Sequence, residues 1–201
     1  MITNGYCTIQ QVKDALRISD AVDDSLLELS IEAASREIDA YCQRVFYPIT
    51  ATRTFEPQSS YVCEIDDLIS VTSVKTSTDN TWDTVWGAND YQLEPTNGIV
   101  GGLAQPYTQI RAVGNNIFPY GIFVQPMIRP NTVQVVGVFG WSAVPLDVRM
   151  ACILQAQRLF KRFDSPLGVI GGMGDLGSIR VSRVDSDVQA LLAPYMKVTF
   201  A

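Results

Sequence analysis

The chain has 201 residues, 47% of them hydrophobic and 18% charged, a net charge of −6 and no histidine. That length and apolar content support a buried core in one or two domains and exclude a disordered chain. The acidic balance argues against a general nucleic-acid binder, and no apolar run approaches the ~18 residues that a membrane helix needs.

The opening MITNGYCTIQQ has neither a basic n-region nor an apolar h-region, so no secretory signal is expected. Residues 8–46 then read as helical. Thr8-Ile9-Gln10-Gln11 has the form of a capping box, followed by Ile9, Val12 and Leu16 on one face. A polar break over 20–24 supplies Asp23 or Asp24 as the cap of the next helix. That helix carries Leu27, Ile31, Ala34, Ile38, Tyr41 and Val45 at alternating spacings of four and three. Glu28, Glu32, Arg36, Asp39 and Gln43 lie off the seam, and Pro48 ends it.

From residue 49 the helical period disappears. Residues 51–55, 61–65, 69–75 and 132–139 read as strands, separated by turn signals at 56–60, Asn97-Gly98, Gly101-Gly102 and Gly114-Asn115-Asn116. Seven of the ten prolines fall between Pro57 and Pro145, which suits turns and edge strands. Helix returns at Pro145, read as a first-turn proline. Ile153, Ala156, Phe160 and Phe163 form its expected seam, with Cys152 and Leu159 beside it. A glycine-rich stretch over 168–177 and an extended run over 179–184 follow. Ser186-Asp187-Val188-Gln189 then reads as a second capping box, opening a short helix through Leu191 and Leu192 that Pro194 closes.

Helices that bracket a β-rich segment must find each other to bury their seams. The expected class is therefore α+β: a helical bundle from the N- and C-terminal segments, with a β-rich domain inserted between them. The expected boundaries are 1–48, 49–143 and 144–201, the last comprising a helix, glycine-rich loop, short strand and terminal helix.

The lack of histidine removes Ser/His/Asp and Cys/His catalysis and the commonest metal ligand. Cys7, Cys42, Cys63 and Cys152 form no C-x-x-C pair, so no metal site is expected and buried free thiols are. Gly172 to Gly177 matches G-x-G-x-x-G, yet a proline-bounded loop precedes it and an extended run follows. The dinucleotide reading, which needs strand before and helix after, gives way to a loop, and no cofactor is expected. Asp66-Asp67 and Asp23-Asp24 read as a turn and a helix cap, since neighbouring strand carboxylates point to opposite faces. Trp82, Trp86, Tyr91, Tyr107, Phe118, Tyr120 and Phe123 divide between core and contact surface in a way the sequence does not sort.

Charge is polarised along the chain. From Pro145 to Ala201 there are seven basic and five acidic residues, a net +2, against eight and 16, a net −8, in the remaining 144. Arg158, Lys161 and Arg162 suit a helix C-terminus, and with Arg180 and Arg183 they also suit an acidic surface on an identical neighbour.

Two stretches resemble a known family. The run from Thr8 to Phe46, with its short helix, acidic break and longer helix ending in Tyr41 and Arg44, is similar to the start of head–tail connector (adaptor) proteins of long-tailed bacteriophages. V-F-G-W-S-A-V-P at 138–145, R-L-F-K-R at 158–162, S-P-L-G-V at 165–169 and V-D-S-D-V-Q-A-L-L-A-P-Y at 184–195 resemble the same family in phages of actinobacterial hosts. The resemblance implies a non-enzymatic virion protein at the head–tail interface, assembled in the host cytoplasm. It would form a ring, commonly of twelve copies, that docks under the portal protein and offers a surface to the next neck or tail protein. Packaged DNA would pass through without sequence-specific binding, and no membrane is involved. On this reading Glu28, Glu32, Asp39, Arg158, Lys161, Arg162, Arg180 and Arg183 form the subunit interface. Leu191, Leu192, Tyr195, Met196 and Phe200 dock into the portal, and Gly168, Gly171, Gly172, Gly174 and Gly177 order on assembly. The rival roles are another neck component (head-completion or tail-terminator protein) and a module binding a glycan or protein through its β-domain; a carboxylate enzyme comes last.

Overall fold

The structure is a computed structural model that describes residues 2–79, 81–100, 103–121, 131–163 and 185–197. It is α+β, and the chain divides into two compact units: residues 1–44 with 144–201, and residues 45–143.

The first unit is helical. α1 (Ile9–Leu16) opens with the expected capping box: the Gln11 amide donates to Thr8 Oγ1 at 3.3 Å, and the Thr8 amide donates to Gln11 Oε1 at 2.9 Å. Such reciprocal bonds satisfy two amides that would otherwise lack partners at the helix start. Thr8→Ala should cost about 1 kcal/mol, read as a shift in urea midpoint by far-UV circular dichroism. α2 (Asp24–Cys42) buries Leu27, Ile31, Ala34 and Ile38 as expected, but Cys42 is buried where Tyr41, half-buried, was expected. The helix stops at Cys42, with Gln43 in the left-handed region, so Val45 lies beyond it and Pro48 does not end it. Asp23 occupies the N-cap position without a side-chain cap bond, while Asp24 forms an ion pair with Lys13 of α1.

The second unit is an antiparallel sheet. Its strands are β1 (Ile49–Phe55), β2 (Val62–Thr76), β3 (Thr84–Trp86), β4 (Tyr91–Glu94), β5 (Ile99–Val100), β6 (Leu103–Ala104), β7 (Tyr107–Ala112) and β8 (Val133–Phe139). The main sheet runs β1-β8-β2-β7-β4 with β3 on β2, and β5 pairs with β6 separately. β8 alternates buried and half-buried residues along its length, so Val133, Val135 and Phe139 face the core and Gln134, Val136 and Val138 do not.

β2 corrects the sequence reading twice. The runs at 61–65 and 69–75 belong to one strand of 15 residues, kinked by register shifts between Glu64 and Leu68 and again further on. Asp66-Asp67 is therefore mid-strand and not a turn. The two side chains go to different partners: Arg53 Nη1 donates to Asp66 at 2.7 Å, and Trp141 Nε1 donates to buried Asp67 at 2.9 Å. Of the aromatics, Trp86 and Phe118 are core, stacked with centroids 4.6 Å apart. Tyr91 and Tyr107 pack against that core, Tyr120 is exposed, and Phe123 lies outside the described residues.

In the helical unit, α3 (Leu146–Phe163) and α4 (Ser186–Leu192) follow. Pro145 precedes α3, its carbonyl accepting from the Arg149 amide at 2.9 Å. The α3 seam is a correction in phase: the buried residues are Val148, Ala151, Cys152, Gln155 and Ala156, while Ile153 and Phe160 are half-buried and Phe163 is exposed. The cap of α4 is Asp185, one residue before the expected Ser186, accepting from the Asp187 amide at 3.1 Å. α2 and α4 each pack on α3, and α1 touches both α2 and α3.

Candidate assembly surface

α2 and α3 pack on each other through their buried faces. What each turns away from that contact is not wholly polar. On α2, Leu26, Leu29, Ala33 and Ala40 are exposed at spacings of three, four and seven, which keeps them on one outward face. Glu28 and Glu32, both half-buried, flank it. Asp39 is engaged inside the unit: it accepts from the Tyr6 hydroxyl and pairs with Arg36 at 3.3 Å. Burial pushes its carboxyl up, against the opposing pull of that hydroxyl and of the guanidinium.

On α3, Leu146, Met150 and Leu154 are exposed at successive spacings of four, on the side opposite the buried residues. Lys161 and Arg162, both exposed, stand in the last turn, where cations suit the helix dipole. Arg158 is half-buried and engaged within the chain. Sequence reading had marked the charges around these stripes and missed the stripes themselves. Their signal was available as apolar residues at helical spacing off the main seam.

The C-terminal docking residues divide. Leu192 is core, 1% exposed, so it cannot be a contact residue without unpacking α4; this corrects its expected role. Leu191 is half-buried and Met196 exposed. Tyr195 is tied down by donating to Asp147 of α3 at 3.2 Å, and the Lys197 amide donates to the Cys42 carbonyl at 3.0 Å. Arg180, Arg183, Phe200 and the glycines 168, 171, 172, 174 and 177 lie outside the described residues, as does the G-x-G-x-x-G match.

All four cysteines are buried. Cys7 and Cys152 sulfurs lie 3.3 Å apart with Ser35 Oγ 3.5 Å from Cys152, in the interior of the helical unit. The hydrogen bond between the two thiols raises Cys7 and lowers Cys152, and burial adds to the rise at Cys7. Burial, helped by the nearby carboxylates of Asp39 and Glu64 respectively, pushes Cys42 up to about 11 against the pull of Arg44 and Cys63 up to about 12, as for inert structural thiols.

Among the described residues no group of three or more Cys, Asp or Glu could hold a metal ion, and no helix is long and apolar enough to cross a membrane. The β-unit has a cleft of about 180 Å³ beside Tyr107, Trp141, Asn97 and Gln105, smaller than the ~300 Å³ at which small-molecule pockets begin.

Residues 6–79, which span α1, α2, β1 and β2, match the family model of the phage gp6-like head–tail connector proteins, the resemblance that the sequence carries. No curated protein matches the chain. Among solved structures, a chain from the "Neck of empty GTA particle computed with C6 symmetry" is 16% identical at a TM-score of 0.57, with 100% of this chain and 94% of that one covered. A chain from the "Neck of native GTA particle computed with C12 symmetry" is 16% identical at 0.56, covering 96% and 90%. One from the "Virion of native gene transfer agent (GTA) particle" is 18% identical at 0.52, covering 100% and 94%. At such identities these likenesses show a shared fold over nearly the whole length.

Proposed function

We propose that the chain is a structural virion protein, without enzymatic activity, that acts as a head-to-tail adaptor at the junction of a phage-like particle. The observation that carries this reading is the connector-family match over residues 6–79. It is supported by a fold shared with chains from particle necks whose C6 and C12 symmetries are both satisfied by twelve copies. Twelve copies would close a ring under the portal, extend the DNA channel and receive the next neck or tail protein. In this assignment residues 1–48 and 144–201 make one helical bundle, residues 49–143 are an insertion, and the segment that carries exposed Met196 meets the portal. A net charge of −6 suits a channel wall, because repulsion of phosphates avoids the sticking that lysine contacts cause.

The subunit contact of this ring is heterologous, the acidic flank of α2 meeting the basic end of α3 of the next copy. Lys161 and Arg162 are the residues to reverse, since Arg158 is half-buried and its loss would disturb the fold. Lys161→Glu with Arg162→Glu should block ring formation while leaving the melting temperature within a degree or two. Native mass spectrometry of the chain, alone and mixed with its portal, reads the outcome. Intact rings from the double variant would sink the charged contact; a wild-type chain that stays monomeric and ignores the portal would sink the adaptor itself.

A further inference from the structure

The helical unit carries two outward apolar stripes that its own core does not use. Leu146, Met150 and Leu154 on α3 are 71%, 46% and 37% exposed, and Leu29 on α2 is 56% exposed beside Leu26, Ala33 and Ala40. Stripes of this kind on a protein surface mark association sites more often than isolated apolar residues do. Because α2 and α3 face each other through their buried sides, the two stripes look in opposite directions. They differ in shape and in sign. The α2 stripe ends in alanines and is flanked by Glu28 and Glu32; the α3 stripe is built of long side chains and leads to Lys161 and Arg162.

We infer that the occupant of each stripe is a second copy of this chain: Leu146, Met150 and Leu154 of one copy seat on Leu26, Leu29, Ala33 and Ala40 of the next. This rests on the ring reading above and names the surface that supplies its affinity. Long side chains on one helix fill the shallow ground that alanines leave on the other, which lets the axes approach closely. The carboxylates of one copy then border the cations of the other. Apolar contact supplies most of the binding, and the charges at the rim set register and partner choice. Unlike faces on opposite sides make a head-to-tail contact that continues around a ring. A self-complementary contact between two α3 stripes would stop at a dimer and could not continue around a ring.

The test uses two full-length variants, Leu29→Glu and Met150→Glu, with Leu146→Glu in reserve should the second fail to fold. All three sites are exposed, so circular dichroism and melting temperature should match wild type. Each variant alone should stay monomeric where wild type assembles, with association weakened at least 100-fold. Mixed in equal amounts, they should form 1:1 heterodimers and nothing larger, because each brings one intact face and one broken one. Native mass spectrometry with one variant isotope-labelled reads the composition. Homodimers of either variant would show a self-complementary contact and overturn the inference. Rings from the single variants would overturn the stripe assignment while leaving the adaptor reading standing. Absence of any wild-type ring, with or without portal, would overturn both.

Discussion

Gly140→Ala should destabilise the β-unit by about 2–4 kcal/mol, one of the two largest single-residue effects expected in this chain. Gly140 follows β8 at φ +97°, where a β-carbon is strained, and its amide donates to the Asp67 carbonyl at 2.7 Å. A β-carbon there would also land on the Tyr47 carbonyl, which is backbone and cannot turn aside. Gly114 supplies the control: its φ is +71°, yet a β-carbon would meet nothing within 4 Å. Gly114→Ala should therefore cost only the conformational strain, about 1 kcal/mol. All three tryptophans, Trp82, Trp86 and Trp141, belong to residues 45–143, so tryptophan fluorescence in urea reports on that unit alone. Equal midpoints for the two variants would mean that the close approach to Tyr47 is easily relieved.

The position of Gly140 explains why the β-unit was only partly legible. β1 and β8 are dense in β-branched residues and were readable, because alternation on a half-buried strand needs no knowledge of its neighbours. β4 (Tyr91–Glu94) and β7 (Tyr107–Ala112) went unread, since Gln92, Gln109 and Arg111 dilute an apolar pattern only a few residues long. Arg111 makes sense only across the pair, where its guanidinium meets Glu94 at 2.7 Å. β2 was divided because paired aspartates resemble a turn, and nothing local shows that Trp141, 74 residues on, donates to Asp67.

The helices failed in a more instructive way. α1 and α2 have one apolar seam that outweighs the rest, and capping and spacing located both. α3 has apolar residues on both sides, and its buried side is the smaller: Ala151, Cys152 and Ala156 inside, against Leu146, Met150 and Leu154 outside. Weighting by side-chain size then selects the wrong phase, toward Phe160 and Phe163. Small side chains buried and large ones exposed on the same helix are enough to produce that ambiguity.

Phe139→Ala should lower the stability of the β-unit by about 3–5 kcal/mol, the range for emptying a buried phenylalanine site. Phe139 is fully buried, opposite Ile49 of β1 and Leu68 of β2, with the Phe55 ring 6.2 Å away and the Arg53 guanidinium 4.5 Å over its face. Phe139→Leu keeps most of the volume and loses the ring, so it should cost less than ~1.5 kcal/mol plus ~0.5–1 kcal/mol for the cation–π contact. The loss should also reach the helices. Within the β-unit, Phe46 and Trp141 lie with ring centroids 5.4 Å apart and Ile49 pairs with Phe139, so its two ends leave side by side. The helical unit is built from segments joined through those ends. Once the sheet unfolds, the helices must close a flexible loop spanning residues 45–143, at an entropic cost near 4 kcal/mol from the (3/2)RT ln n scaling. In Phe139→Ala the helical signal by circular dichroism should therefore melt with the tryptophan fluorescence, both at lower urea than wild type. A helical signal that outlasts the fluorescence would show that the terminal segments hold together without the sheet, and that the closed ends of the β-unit contribute little to them.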